Sequence, residues 1–266
     1  MKKKQKSFLH QVLHDLYQVF DTFPVENPIW TCDHHGESDV LPDTITIGSW
    51  NIFKGNGGHQ FYRDYVNLLR KCDIWCIQEA LCSEHSLIDL VPEGFWGVHG
   101  GSYSRRDGLR EGVLTLSKCS YIDNMNQRLL FPHPEPVLGT LKTALLGHYL
   151  INGIDTQVIN LHSPLIRRAS RVKKDFSVIL EAISSFDGPG IMIGDFNTFS
   201  RKHFSVLESS LFDAGYQHIP IPEDDRRNWK KLDHIFCRGF EILDAQVLKG
   251  IDSSDHPPLM AQLRLK

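Results

Sequence analysis

The sequence lacks the features that mark a membrane-spanning protein, a disulfide framework or a zinc site. In 266 residues, no apolar run approaches the roughly 20 residues that a transmembrane helix needs. The six cysteines are scattered without paired spacing, and the fourteen histidines form no HExxH pattern. We therefore expect free thiols in a reducing compartment, which predicts a cytoplasmic protein.

The sequence also has no strong excess of charge of one sign. Its formal net charge of −3 argues against general electrostatic adhesion to nucleic acid, although it leaves room for a local basic groove. The basic start is followed by apolar residues that polar ones interrupt, and no small-residue cleavage site follows, so we do not expect a secretory signal. We expect a soluble protein that acts as a monomer.

Two regions differ in their residue pattern. In residues 1–43, Phe8, Val12, Leu16 and Val19 recur at helical spacing, which predicts an amphipathic helix. We expect this helix to pack on its own domain, and weak contact with a membrane surface is the alternative. Prolines and a glycine between Pro24 and Pro42 predict an irregular connection. Residues 44–266 then form the predicted catalytic domain.

Short apolar segments alternate with helical patterns throughout the second region. Each predicted strand is rich in Ile, Val, Leu or Phe and is bounded by polar residues or glycine. The predicted strands cover 44–50, 73–80, 111–118, 156–163, 190–197, 232–239, 240–248 and 259–265, and the predicted helices cover 59–72, 170–186 and 204–214. This pattern predicts an α/β protein of two stacked sheets with helices on their outer faces.

Polar and ionisable residues stand at the ends of these apolar strands. They are Asn51, Glu79, His162, Asp195 with Asn197, Asp233, and Asp255 with His256. One such residue would mean little, because a polar cap or turn belongs at a strand end. A set of amides, carboxylates and histidines in these positions indicates a site gathered at one rim of the sheets.

These residues carry a resemblance to a known family. "SWN", "QEA", "NLHS", "GDFN", "LDHIF" and "SDHPP" occur in the order expected of the endonuclease/exonuclease/phosphatase superfamily, which includes deoxyribonuclease I, from about residue 45 to the C-terminus. The sequence looks most like the small, uncharacterised bacterial branch. The resemblance implies a deoxyribonuclease I-like, four-layered α/β-sandwich of two mainly antiparallel sheets, and a metal-dependent hydrolase of phosphate esters.

The resemblance also implies a metal site. Glu79 is the first expected ligand, Asn51 supplies a neutral amide oxygen beside it, and Asp255 is the second carboxylate. Charge builds on phosphate oxygens during the reaction, which calls for a hard cation, and Mg²⁺ prefers oxygen ligands. We expect Mg²⁺, with Mn²⁺ as a substitute.

The resemblance implies that Asp195 and Asn197 face the phosphate that is cleaved. If the strand continues through "GDFN", residues two apart point to the same side. Asp195 can then orient or deprotonate the attacking water, while Asn197 donates to a phosphate oxygen. The alternative is an Asx turn in which Asp195 caps the following loop, and both readings can hold together.

His256 and Asp233 are expected to form a catalytic dyad. A histidine that exchanges a proton near neutral pH needs its tautomer fixed, which a carboxylate on its far nitrogen achieves. His162 is the second expected catalytic histidine, and this assignment rests on the resemblance. His234, directly after Asp233, should point away from the site and be structural.

The sequence defines the reaction more closely than it defines the substrate. Basic residues and an aromatic one directly precede Asp233, a mixture that suits a nucleic-acid backbone with a stacked base. The proposed substrate-binding residues are Arg226, Arg227, Trp229 and Lys230. We expect a Mg²⁺-dependent nuclease acting on DNA or RNA. The alternatives are a phosphodiesterase or phosphatase on a lipid, inositol phosphate or other small ester, and an inert binding module.

Overall fold

All eight segments that the sequence predicts as strands form strands in the structure. The computed structural model describes residues 22–25, 27–36, 38–135, 139–165, 168–222, 224, 226 and 231–266. Within them, the strands are β1 Thr22–Phe23, β2 Ile29–His34, β3 Thr44–Asn51, β4 Ile74–Cys82, β5 Phe95–Arg105, β6 Arg110–Ser117, β7 Gln127–Leu130, β8 Thr143–Ile151, β9 Ile154–His162, β10 Gly190–Asp195, β11 Gln217–His218, β12 Asp233–Arg238, β13 Phe240–Val247 and β14 Leu259–Leu265.

The described α-helices lie on the outer faces of the sheets. They are α1 Gly58–Leu69, α2 Val172–Asp175, α3 Ser177–Ser184 and α4 Arg201–Asp213, and short 3₁₀ segments cover Phe53–Gly55, His85–Leu90 and Ala169–Arg171. The single helix predicted over 170–186 is divided into α2 and α3. Phe176 separates them with φ −87° and ψ 4°, which departs from helical geometry.

The strands form two sheets. The larger sheet has eight strands, in the order β1, β5, β6, β4, β3, β14 and β13, with β2 also paired to β5. The smaller sheet has six, in the order β11, β12, β10, β9, β8 and β7. Among the described strands, the pairs β3–β4 and β9–β10 are parallel and the other pairs are antiparallel.

Alternating side chains divide the core into an inner layer and two outer layers. Ile45 and Ile47 of β3 pack with Ile191 and Ile193 of β10 between the sheets. On the far side of the larger sheet, α1 packs its aromatic residues against Trp50 and Trp75 of the sheet, while α2, α3 and α4 cover the smaller sheet. The predicted four-layered α/β-sandwich is confirmed.

The same alternation brings the polar strand ends into one place. Because inward-facing residues recur every second position, Asn51 continues the face of Ile47, and Asp195 continues the face of Ile193. Strands β3, β4, β9 and β10 end at this rim, and their antiparallel neighbours β6, β8, β12 and β14 begin there. Fold topology therefore gathers the candidate site at one end of the sandwich.

The prediction of an irregular connection from Pro24 to Pro42 is wrong for part of its length. Ile29–His34 forms β2 and pairs with β5, and the two-residue strand β1 pairs with β5 farther along. The prolines and the glycine that flank this short strand predict a loop, and its pairing with β5 cannot be read from the local sequence. The helix predicted near the N-terminus lies in residues 1–21, outside the described residues, and the division at residue 43 stays a prediction.

The described residues agree with two further expectations from the sequence. All six cysteines are free thiols, and five of them are buried. Among the described helices, none combines the length and the apolar character that crossing a membrane requires.

Candidate active site

Asp195 lies at the centre of the rim, where the two sheets meet. Its side chain is 2% exposed, and its Oδ2 accepts a hydrogen bond from Asn51 Nδ2 of the other sheet at 3.2 Å. The Nε2 atoms of His162 and His256 lie 3.7 and 4.0 Å from the same oxygen. Burial raises the pKa of Asp195 to about 7, against the opposing effect of His256. Asp195 can therefore hold or release a proton near neutral pH.

The contact expected between Asp233 and His256 is present. His256 Nδ1 lies 2.9 Å from Asp233 Oδ2 and 3.2 Å from Oδ1, so Nε2 is turned toward Asp195. Burial alone would lower the pKa of His256, but the Asp233 carboxylate more than offsets it and raises this pKa to about 10. The imidazole is thus held as a proton donor facing the site.

His162 has the opposite electrostatic character. Burial, reinforced by the nearby Lys142 ammonium, lowers the pKa of His162 well below its usual value. The two histidines therefore reach Asp195 in different protonation states, one neutral and one charged. Whether each is catalytic stays a prediction.

Glu79 reaches the rim through a bulge in β4. The pairing of β4 with β6 shifts register between Ile77 and Ala80, and Glu79 has a φ of +55°. Positive φ is unfavourable for a residue with a Cβ, so the backbone of Glu79 is strained. The bulge sets the direction of its carboxylate. Burial, and then the nearby Glu111 carboxylate, raise the pKa of Glu79.

The donors around Glu79 suit a hard divalent cation. Asn51 Nδ2 lies 3.4 Å from Glu79 Oε1, and the Asn51 oxygen accepts from the Phe53 backbone N–H at 3.1 Å. Supplying that oxygen to a metal, as predicted, needs the opposite orientation of the amide. Asp255 is exposed and close enough to His256 to favour its charged form. Carboxylate and amide groups of this kind match the oxygen ligands of Mg²⁺.

A second group of candidate ligands is also present. Among the described residues, Asp195, Asp233 and His256 offer ligand atoms within 4.8 Å of one another. However, His256 Nδ1 is already bonded to Asp233 Oδ2 at 2.9 Å, so internal contacts already engage two of these three residues. The Glu79 side of the rim is thus the better candidate for the metal.

The expectation that β10 continues through "GDFN" is wrong. The strand ends at Asp195, and the Asn197 N–H donates to Asp195 Oδ1 at 2.9 Å, which is the Asx turn that the sequence left as an alternative. Asn197 has a φ of +48°, and its Nδ2 donates to the Ser163 carbonyl at 2.7 Å. The turn still holds Asn197 beside Asp195, so a role toward phosphate stays a prediction.

Sequence reasoning missed a buried ion cluster beside Glu79. Glu111 Oε1 accepts from Lys142 Nζ at 3.1 Å, its Oε2 lies 3.7 Å from Lys54 Nζ, and Tyr103 donates to it. Burial would raise the pKa of Glu111, but Lys142 and then Lys54 lower it to about 2. The signal was available, because Glu111 and Lys142 each stand at the start of an apolar strand.

The basic residues expected to bind substrate fall into two groups. Arg226 is buried, and its guanidinium donates to Asp224 at 3.0 Å and to the Asp233 carbonyl at 3.2 Å. Arg226 also lines a cavity beside β12, and its role in substrate binding stays a prediction. The other three, Arg227, Trp229 and Lys230, lie outside the described residues.

His234 points away from Asp195, as expected, and its structural role stays a prediction. It is buried against Phe196 and Phe204, and its Nε2 lies 2.9 Å from Thr198 Oγ1. Beside it lies a cavity of about 700 Å³. Its lining includes Thr198, Phe199, Phe204, His218, Arg226 and Lys231. Thr198 follows Asn197 directly, so one wall of this cavity lies near the rim, while His234 and Phe204 place the rest of it on the outer face of the smaller sheet.

Comparison with known proteins agrees with this geometry. Residues 48–256 match the model of the Endonuclease/Exonuclease/phosphatase family, a span that includes every residue of the rim described above. The chain belongs to this family. It is therefore a hydrolase that acts on phosphate esters, and enzymes of this family are generally metal-dependent.

Individual proteins are similar to the chain in sequence or in fold. A UPF0294 protein of Yersinia pseudotuberculosis is 36% identical over 244 residues, covering 86% of this chain and 87% of the relative. The structure is similar to ANGEL2, a 2′,3′-cyclic phosphatase, with a TM-score of 0.62 and 17% identity over 84% of this chain and 96% of that one. It is also similar to a mannosyl-6-phosphatase of Bacteroides thetaiotaomicron, with a TM-score of 0.59 and 17% identity over 82% and 99% of the chains. At these identities, the solved structures establish the shared fold.

Proposed function

We propose that this chain is a Mg²⁺-dependent nuclease that hydrolyses phosphodiester bonds in DNA or RNA. The observation that carries the proposal is the arrangement around Asp195. This carboxylate has a pKa of about 7, and a neutral and a charged histidine lie within 4.0 Å of its Oδ2. Such a centre can accept a proton from water on one side and supply positive charge to phosphate oxygens on the other.

Glu79, with Asn51 and Asp255, would hold the metal in this proposal. When bound, the cation supplies positive charge to the oxygens of the phosphate group. Mg²⁺ commonly binds one or two protein carboxylates and completes its shell with water and substrate, which agrees with the sparse ligand set here. Mn²⁺ prefers the same ligands and is expected to substitute.

Asp195 acts as the base in the proposed reaction. Its Oδ1 accepts from the backbone of Asn197, which fixes the carboxylate plane and leaves Oδ2 facing the histidines. Oδ2 is positioned to orient the attacking water and take its proton. The charged His256, held by Asp233, and the neutral His162 then flank the phosphate group and donate hydrogen bonds to its oxygens.

The cavity beside the rim favours a nucleotide substrate. Phe199, Phe204 and His218 provide flat apolar surfaces, and Lys231 adds positive charge at the wall. Aromatic surfaces stack nucleobases of any sequence, and cations favour the phosphate backbone. A base of the substrate could therefore occupy the cavity while its phosphate lies at Asp195. Phe199 is 44% exposed and accessible to such a ligand.

Purified protein with Mg²⁺ or Mn²⁺ should be assayed against plasmid, single-stranded DNA, RNA, sphingomyelin, phosphoinositides and bis-p-nitrophenyl phosphate. We expect cleavage of a nucleic acid. Phe199→Ala should raise KM for the nucleic acid by several-fold and leave hydrolysis of bis-p-nitrophenyl phosphate unchanged. The matched control is Phe212→Ala, since Phe212 is an exposed phenylalanine of α4 that does not line the cavity.

The second candidate is a phosphatase or phosphodiesterase acting on a small phosphate ester. The similar fold of a mannosyl-6-phosphatase and the size of the cavity, which suits one small molecule, favour it. Cleavage confined to a small ester or a lipid headgroup, with every nucleic acid left intact, would replace the nuclease proposal by this one.

A further inference from the structure

A buried amide in the smaller sheet contacts the strained bulge that carries Glu79. Asn160 lies on β9 and is fully buried. Its Nδ2 lies 3.2 Å from the Ile77 carbonyl, 3.0 Å from the Leu114 carbonyl and 3.3 Å from Thr115 Oγ1. Ile77 and Leu114 face each other in the last regular pair before the register shift. Asn160 therefore binds the larger sheet at the point where β4 begins to bulge.

The bulge itself also contacts Asn160. Gln78 Nε2 donates to Asn160 Oδ1 at 2.8 Å and to the Cys76 carbonyl at 2.9 Å. On the other side of the bulge, the Ile52 N–H donates to the Gln78 carbonyl at 3.0 Å. Gln78 is fully buried, so its amide must be satisfied within the protein. These contacts fix the residue directly before Glu79 from two directions.

We infer that Asn160 is a positioning residue for Glu79 and, through it, for the divalent cation. A residue held at positive φ keeps that conformation only where its surroundings fix it more strongly than the local preference opposes it. Asn160 supplies this constraint from the opposite sheet, because its amide bonds both strands of the bulged pair and the side chain of Gln78. The inference rests on the proposed role of Glu79 as a metal ligand.

The position of Asn160 also explains why a polar residue interrupts the core between the sheets. Its neighbours on the same inward face are Val158, which is part of the apolar core, and His162, which is part of the site. A fully hydrogen-bonded buried amide is more directional than an apolar contact, so it fixes the register of one sheet on the other. Asn160 thus couples the geometry of the two halves of the site.

Asn160→Asp tests the inference, because the substitution keeps the shape and removes the amide donors. Burial favours the neutral acid, whose single O–H can satisfy only one of the carbonyls. Calorimetric titration with Mn²⁺ should show an affinity weaker by about 10-fold or more, as loss of an outer contact to a metal ligand typically gives. Should this variant fail to fold, Asn160→Ala is titrated in its place.

Gln157→Glu is the matched control, since Gln157 is a buried amide on the same strand that faces away from the bulge. It should lower the midpoint of urea unfolding without changing Mn²⁺ affinity. A double-mutant cycle supplies the decisive comparison. In the Glu79→Gln background, Asn160→Asp should weaken Mn²⁺ binding little further, because its effect acts through Glu79.

Two outcomes separate this inference from the proposed function. If Glu79→Gln weakens Mn²⁺ binding and Asn160→Asp does not, or if the two losses multiply, Asn160 is only structural and the inference is wrong. If Glu79→Gln itself binds Mn²⁺ as tightly as the unchanged chain, the proposed metal role of Glu79 fails, and the inference fails with it.

Discussion

Three side chains converge on one carboxylate oxygen, Asp195 Oδ2. Asn51, His162 and His256 all approach Asp195 Oδ2, while Asp233 fixes His256 from behind. Asn51 and His256 each have a further polar partner that restricts their orientation, which is the requirement for preorganised electrostatic catalysis. Substitutions here should therefore change the rate more than they change substrate binding.

The contact between Asp233 and His256 gives the first prediction. Asp233→Asn keeps the shape but presents an amide that can favour the wrong tautomer, so the rate should fall by about 10²-fold or more at similar KM. His256→Ala should reduce the rate at least as much. The double variant should be no slower than the slower single variant, because the two residues act as a unit. Single-turnover cleavage at saturating Mg²⁺ measures all three.

His162→Ala serves as the comparison, since His162 approaches Asp195 independently of Asp233. Its loss should multiply with the loss in either dyad variant. Losses that multiply fully between Asp233→Asn and His256→Ala would show that their 2.9 Å contact has no catalytic role.

The motif residues were recognisable in the sequence, but the supporting roles of two of them were not. Asp195, Asp233 and His256 stand beside recognisable turns at strand ends. Asn160 and Gln78 belong to the motifs "NLHS" and "QEA", but sequence alone does not reveal which backbone groups their amides will meet. Their roles depend on the packing of one sheet against the other. Amide orientation at Asn51 and the Asx turn at Asn197 are likewise set by hydrogen bonds that form only in the folded chain.

The bulge in β4 leads to a prediction about strain. Glu79→Ala retains the unfavourable positive φ, whereas Glu79→Gly relieves it, so the glycine variant should be more stable than the alanine variant by about 1 kcal/mol. Both should be inactive. Urea unfolding measures the difference. The control is Gln246, an exposed residue of β13 without positive φ, where the alanine variant should be more stable than the glycine variant. If the glycine variant is the more stable one at both positions, Glu79 is not strained.

The ion cluster that joins β6 and β8 predicts how stability responds to acid. The pKa of Glu111 is lowered to about 2 in the folded chain, so its stabilising contribution is complete above its ordinary pKa and is lost as pH falls toward 2. Glu111→Gln should reduce the free energy of unfolding at pH 7 by about 3 kcal/mol. The difference from the unchanged chain should shrink as pH falls from about 4.5 toward 2.

Glu241→Gln is the control for this acid titration. Glu241 forms an exposed ion pair with Arg264, and exposed pairs contribute little to stability. Its variant should follow the unchanged chain at every pH. A Glu111→Gln variant that does the same would mean that the buried cluster does not stabilise the fold.

Eight strands were predictable from short segments rich in Ile, Val, Leu or Phe, and the other described strands, including the buried β8, were not. The sequence reveals β3, β4, β9 and β10 because each is buried on both faces. It conceals β5, "FWGVHGGSYSR", because glycines and polar residues obscure the alternation. Its position beside β6 is set by tertiary pairing, which outweighs the local preference of these residues.

At the scale of the whole molecule, the site exists only because the two sheets are stacked in one register. Glu79 and Asn51 belong to the larger sheet, and His162, Asp195 and Asp233 belong to the smaller one. The Asn51 bond to Asp195 and the Asn160 bonds to β4 and β6 cross between them. In the proposed function, this junction cleaves phosphate esters with the help of a divalent cation.

The most direct test measures hydrolysis by the purified chain in excess EDTA and again after Mg²⁺ or Mn²⁺ is added in excess of the chelator. The substrate is whichever member of the panel above the chain cleaves. We predict no hydrolysis in EDTA, full recovery with the metal, and near-complete loss in Glu79→Ala and Asp195→Asn at an unchanged fold. Full activity in excess chelator, or in either variant, would contradict the account.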